Sequence, residues 1–161
     1  MTAHWVSGLV GLALAGSVAG YVSWQAAKSP QTPEIVYAAP PCDPAPAFRV
    51  VEDPFDTIKP TAGGWEWGSQ GVIEMRPCTG GTMTISGYGV GAGGDWPLLI
   101  ASLGREGLGN WTFKSQRDLT VKVPHGGAVT LAFMNAYYDA SQRPIQRREL
   151  HLHEVRFTPT P

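Results

Sequence analysis

The sequence predicts an all-β sandwich domain preceded by one transmembrane helix, and three observations carry that reading. No charged side chain occurs from Trp5 to Ala27; prolines crowd the stretch that follows; and from Phe48 onward short apolar–polar alternations are separated by Gly- and Pro-rich turns. The expected organisation is an anchor over 1–27, a linker over 28–47 and a β domain over 48–161. Of 161 residues, 20 are Gly and 14 are Pro, and 16% are charged. Soluble domains carry roughly 25% charge, and this richness in turn formers favours short strands over long helices. A formal net charge of -1 provides no clustered basic surface, so a nucleic-acid partner is not expected.

The anchor comes first. About twenty apolar residues at 1.5 Å each span about 30 Å, the hydrocarbon thickness of a bilayer. Trp5 at one end and Tyr21 and Trp24 at the other suit the two membrane interfaces, where amphipathic rings collect. Ser17-Val18-Ala19 offers the small residues a signal peptidase reads, but no Lys or Arg precedes the apolar run. The segment therefore reads as a retained anchor. Gly16 and Gly20 form a GxxxG pair, and Gly11, Ala15 and Ala19 repeat on a neighbouring stripe. Small residues four apart let another helix backbone approach closely, so integral membrane subunits are expected partners alongside the lipid bilayer. Lys28 mildly favours a cytoplasmic location for its end. A cysteine-bearing β domain favours an oxidising compartment. The expectation is a single-pass protein of the inner (cytoplasmic) membrane with its β domain on the periplasmic, extracytoplasmic side.

The linker carries Pro30, Pro33, Pro40, Pro41, Pro44 and Pro46. Proline fixes φ and removes amide donors, which makes an extended, semi-rigid spacer. Cys42 and Cys78 are the two cysteines, and beyond a membrane they read as a disulfide. It would close a loop of about 37 residues and stabilise the fold by about 3–4 kcal/mol.

In the β domain the expected strands are Phe48–Val51, Val72–Arg76, Thr82–Tyr88, Pro97–Leu103, Trp111–Phe113, Leu119–Val123, Ala128–Met134 and Glu149–Phe157. Leu119 to Val123 alternates strictly, one face apolar and one polar. In the last strand Leu150 and Leu152 are one step out of phase with Val155 and Phe157, which predicts a slip or bulge. About eight such strands read as a β-sandwich.

The stretch from Thr82 to Thr158 resembles the calcium-dependent xylan-binding modules, a carbohydrate-binding family with a jelly-roll fold. The residues that carry the likeness are Trp96-Pro97 after a Gly-rich turn, Leu98-Leu99-Ile100, Trp111-Thr112-Phe113, Val123-Pro124, Gly126-Gly127, Val129 to Asn135, and Arg148-Glu149-Leu150-His151-Leu152. The resemblance implies a jelly roll, a bound calcium and a sugar ligand. In the family the phenylalanine strand ends in Asn-Asp and the last strand is preceded by Asp-Arg-Asn-Leu. Here Asn135 is kept, Ala136 takes the acidic position, and Arg147 stands where the leading aspartate would be. Calcium takes six to eight oxygen ligands. Asn135, Asp139 and Glu149 are the remaining calcium candidates, and the expectation is that no cofactor is required.

Other chemistry is sparse. His151 and His153 share a strand face and His125 sits in a turn; three imidazoles suit zinc or copper, but the simpler reading is exposed decoration of the last strand. No serine elbow or zinc-protease motif occurs, and Asp53, Asp56, Glu66 and Glu74 are scattered, so an enzyme is not expected. Trp96, Asn135, Tyr137, Tyr138, Asp139 and Glu149 mark a candidate ligand or partner surface, with Tyr137 and Tyr138 expected on a loop, where rigid aromatics anchor interfaces or stack on sugars. Asn110-Trp111-Thr112 is a glycosylation sequon within an expected strand. The expected function is that of a non-catalytic accessory subunit of a larger membrane complex, respiratory or photosynthetic. The alternative is a membrane-anchored carbohydrate-binding module of the cell envelope.

Overall fold

The computed structural model describes residues 41–160. The expected membrane segment, with Trp5, Gly11, Ala15, Gly16, Ala19, Gly20, Tyr21 and Trp24, lies outside the described residues, as does most of the linker. Among the described residues no helix is long and apolar enough to cross a membrane.

The strands are β1 (Arg49–Glu52), β2 (Ile58–Pro60), β3 (Trp65–Trp67), β4 (Gly71–Met75), β5 (Gly81–Val90), β6 (Leu98–Leu103), β7 (Glu106–Thr112), β8 (Arg117–Val123), β9 (Val129–Phe133), β10 (Tyr137–Asp139) and β11 (Gln146–Pro159). They form two antiparallel sheets. One has the order β1-β4-β9-β6-β7 and the other β2-β3-β11-β5-β8, with β10 paired to the start of β11. Alternation explains how the sheets meet. Ile73, Met75, Leu99, Leu103, Leu131 and Phe133 from the first sheet and Trp67, Met83, Ile85, Val121, Leu150 and Leu152 from the second share one buried cluster. That is a β-sandwich. Trp67 and Phe133 bridge the layers with ring centroids 6.4 Å apart.

The expected strands are present, with shifted ends. The first runs Arg49–Glu52, and the Trp111 segment is the tail of a strand that begins at Glu106. Three strands of three residues, β2, β3 and β10, were not expected, because three residues are too few to show a period. Tyr137 and Tyr138, expected on a loop, stand in β10. The slip expected in the last strand is a register shift between Leu152 and Glu154 against β5. There Val155 N–H donates to Gly63 C=O at 3.0 Å. Gly64 admits no side chain, since a Cβ would lie 1.9 Å from the Leu152 carbonyl oxygen.

The expected disulfide is formed, joining Cys42 to Cys78 with a Cα separation of 4.8 Å. Beside it Asp43 N–H donates to Arg76 C=O at 2.7 Å, so the chain joins the sandwich at the β4–β5 turn. From that end β5 runs ten residues, from Gly81 opposite Val123 to Val90 opposite Glu149, a distance of about 30 Å. The far end collects the β1–β2 loop, the β5–β6 turn, the Met134–Ala136 segment and the β10–β11 hairpin.

A groove at the far end of the sandwich

The β5–β6 turn is a tight hairpin. Ala92 and Asp95 pair through N–H···O bonds of 3.0 and 3.3 Å, and between them Gly93 and Gly94 have φ of +62° and +78°. Two consecutive positive φ values are what a two-residue hairpin turn of this hand requires, and glycine adopts them without strain. The turn faces the start of β11 across an open groove of about 610 Å³, lined among others by Asp95, Trp96, Ile145, Arg147 and Glu149. Trp96 is half-buried, and its ring lies over Gly91, where a Cβ would come within 2.9 Å of it.

Behind the groove wall lies Arg148, which shares the inward parity of Leu150 and Leu152. Among the described residues it is the one buried polar or charged residue, 7% exposed. Its guanidinium donates to Asn135 C=O and to Ala92 C=O, the latter at 2.7 Å. It lies 5.7 Å from the Tyr137 ring centroid, and its Nε–H is buried without a protein partner. Asn135 extends the network: its Oδ1 accepts from Leu98 N–H at 2.8 Å and its Nδ2 donates to Trp96 C=O at 2.9 Å. Tyr137 packs against the turn, since a Cβ on Gly93 would meet its ring at 2.8 Å.

The residues singled out from sequence therefore divide by position. Trp96 and Glu149 line the groove, Asn135 and Tyr137 brace it from behind, and Tyr138 and Asp139 stand on the hairpin. Tyr138 is 63% exposed, with the Arg147 guanidinium 5.5 Å from its ring centroid. Asp139 accepts from both the hydroxyl and the amide of Ser141, at 2.6 and 2.8 Å, and these bonds hold its carboxyl below the usual range. Glu149 lies 3.5 Å from His151. Sequence reasoning passed over Arg148, although its parity with Leu150 and Leu152 was the signal that it points inward.

The histidines do not converge. His151 stacks on Tyr88 at 4.7 Å and His153 lies 5.3 Å from the same ring, whereas His125 follows β8 at the disulfide end. Among the described residues no three His, Cys, Asp or Glu side chains are grouped to hold one metal ion.

The same end also gathers exposed apolar side chains: Phe55, Val90, Met134, Tyr138 and Ile145. Phe55 belongs there because its loop joins Glu52, which pairs with Val72, to Ile58, which pairs with Trp67.

No model of a known protein family matches the chain, and no curated protein matches it.

Proposed function

We propose that the chain is a non-catalytic, single-pass membrane protein, an accessory subunit of a larger membrane assembly with its β domain on the extracytoplasmic side. The observation that carries this reading is the collection of Phe55, Met134, Tyr138 and Ile145 at one end of the sandwich, all solvent-exposed. Gathered apolar side chains on a soluble surface mark interaction sites, and aromatic and arginine side chains such as Tyr138 and Arg147 are the types enriched where proteins dock. Within the β domain, these side chains lie at the end opposite the Cys42–Cys78 disulfide. The Gly16–Gly20 stripe gives the same reading within the membrane, as a face for neighbouring helices. Respiratory and photosynthetic assemblies are the host classes that suit such a layout.

The test is extraction from native membranes in a mild detergent. The protein is expected to emerge in a stoichiometric complex, and a Phe55→Ser, Tyr138→Ser double variant is expected to emerge free while keeping its β circular dichroism. Recovery of the wild type as a lone monomer overturns the proposal.

A second reading is a membrane-anchored carbohydrate-binding module with the jelly-roll fold of the xylan-binding family. It is favoured by the groove itself, where the half-buried indole of Trp96 stands beside the carboxylates of Asp95 and Glu149; an aromatic ring flanked by hydrogen-bonding groups suits a sugar. Retention on xylan or a related glycan supports it, and failure to bind any glycan, with calcium or without, removes it.

A further inference from the structure

The groove's wall is made of loops from different strands, and a single positive charge joins them. Ala92 belongs to the turn between β5 and β6; Asn135 lies between β9 and β10; Arg148 reaches both from β11. Backbone carbonyls converging on one buried positive centre are the arrangement by which proteins hold a hard cation. Here the centre is a side chain. The guanidinium is planar, always charged and able to serve several acceptors at once, so it suits this task better than a lysine. Desolvating such a charge is costly unless its donors are satisfied. The two carbonyls and the Tyr137 ring face, a cation–π partner, offset part of that cost, while Nε–H is left unpaired among the described residues.

The calcium implied by the xylan-binding resemblance does not fit this donor set. Its oxygen candidates are already engaged: the Asn135 carboxamide with Leu98 and Trp96, the Asp139 carboxylate with Ser141, and Glu149 beside His151. Ala136 contributes no oxygen from its side chain, and Arg147 and Arg148 add positive charge where a divalent ion would need anionic ligands. We infer that Arg148 is an internal cation that does for these loops what a bound metal would otherwise do. It positions the Gly91–Trp96 wall and Trp96 with it, and makes the groove's shape independent of divalent ions. The inference stands whether a protein or a glycan occupies the groove, so its failure is distinguishable from failure of the docking proposal.

Amide hydrogen exchange on the full chain in detergent tests it. Exchange across 91–98 and 134–137 in the wild type is expected to be the same in excess chelator and in millimolar calcium. Arg148→Ala is expected to speed exchange in those two segments at least tenfold while β4 and β8 keep their protection. Millimolar methylguanidinium, which restores a planar cation to the vacated space, is expected to slow it again; equal concentrations of urea or potassium chloride are not. Opening of the wild-type segments by chelator overturns the inference, and that arm needs no variant to fold. Uniform loosening of the whole domain by Arg148→Ala overturns it too, as does a variant whose two segments stay closed, or one that urea rescues as well as methylguanidinium.

Discussion

Asp53 anchors the β1–β2 loop by accepting from the backbone N–H of Thr57 at 3.0 Å and of Ile58 at 2.8 Å. Partial burial pushes its carboxyl pKa up, but N–H groups of Thr57, Ile58, Phe55 and Asp56 together outweigh burial and hold it below 3.8. A carboxyl whose folded pKa is depressed contributes stability above its unfolded value and loses it as pH falls through the folded one. Asp53→Ala is therefore expected to cost about 1–2 kcal/mol at neutral pH, with the gap to wild type closing as pH drops below 3.8. Denaturant titrations at pH 7 and pH 3 check this; a difference that stays constant with pH assigns the effect to packing. Asp53 was visible in the sequence only as one of several scattered acids, because nothing in its neighbours says that two amides will turn toward it. Arg148 was partly legible: its parity with Leu150 placed it inward, but its acceptors on Ala92 and Asn135 come from loops 56 and 13 residues away.

Among the elements, those with five or more residues and a clear alternation were found in sequence, β4, β5, β8 and β9 foremost. Burial alternates along β4, β5 and β9 from end to end, and along β8 from Asp118 to Val123, as a pleat with one face in the core demands. β3 and β10 form against the long strand β11, and β2 adds on as an edge strand paired with β3. Such strands have no signature of their own. The disulfide acts at this scale as well, fixing the chain beside Pro77 before β1 begins. It closes a separation of 36 residues, and its removal from the unfolded state's constraints is worth about 3–4 kcal/mol in the chain-entropy account. The Cys42→Ser, Cys78→Ser variant is expected to lose that much in equilibrium denaturation, and reductant is expected to lower the wild type to the same level. An unchanged unfolding midpoint in both would show that the bridge constrains nothing that the strands do not already hold.

For the whole molecule, the sandwich presents two different ends. One carries the disulfide and receives the chain; the other carries the groove, the internal guanidinium and the exposed Phe55 and Tyr138. In the proposed assembly the membrane helix and this far end are separate contacts, so each should fail alone. Gly16→Leu is expected to weaken or abolish co-purification with membrane partners while leaving the β circular dichroism and melting of the domain unchanged; undiminished recovery of the complex would make the small-residue stripe incidental. By itself the sequence determined the β class, the cysteine pairing, the longer strands and the bulge in the last one. These follow from local rules: a period of two, turn residues, and the pairing of the chain's two cysteines. Only the tertiary structure decided which end of the sandwich gathers the apolar side chains, and that Arg148 is spent on two carbonyls rather than exposed beside Arg147. Those facts depend on which loops the two sheets bring together. Contacts between residues far apart in the chain follow from strand order, and alternation within a strand says nothing about its neighbours.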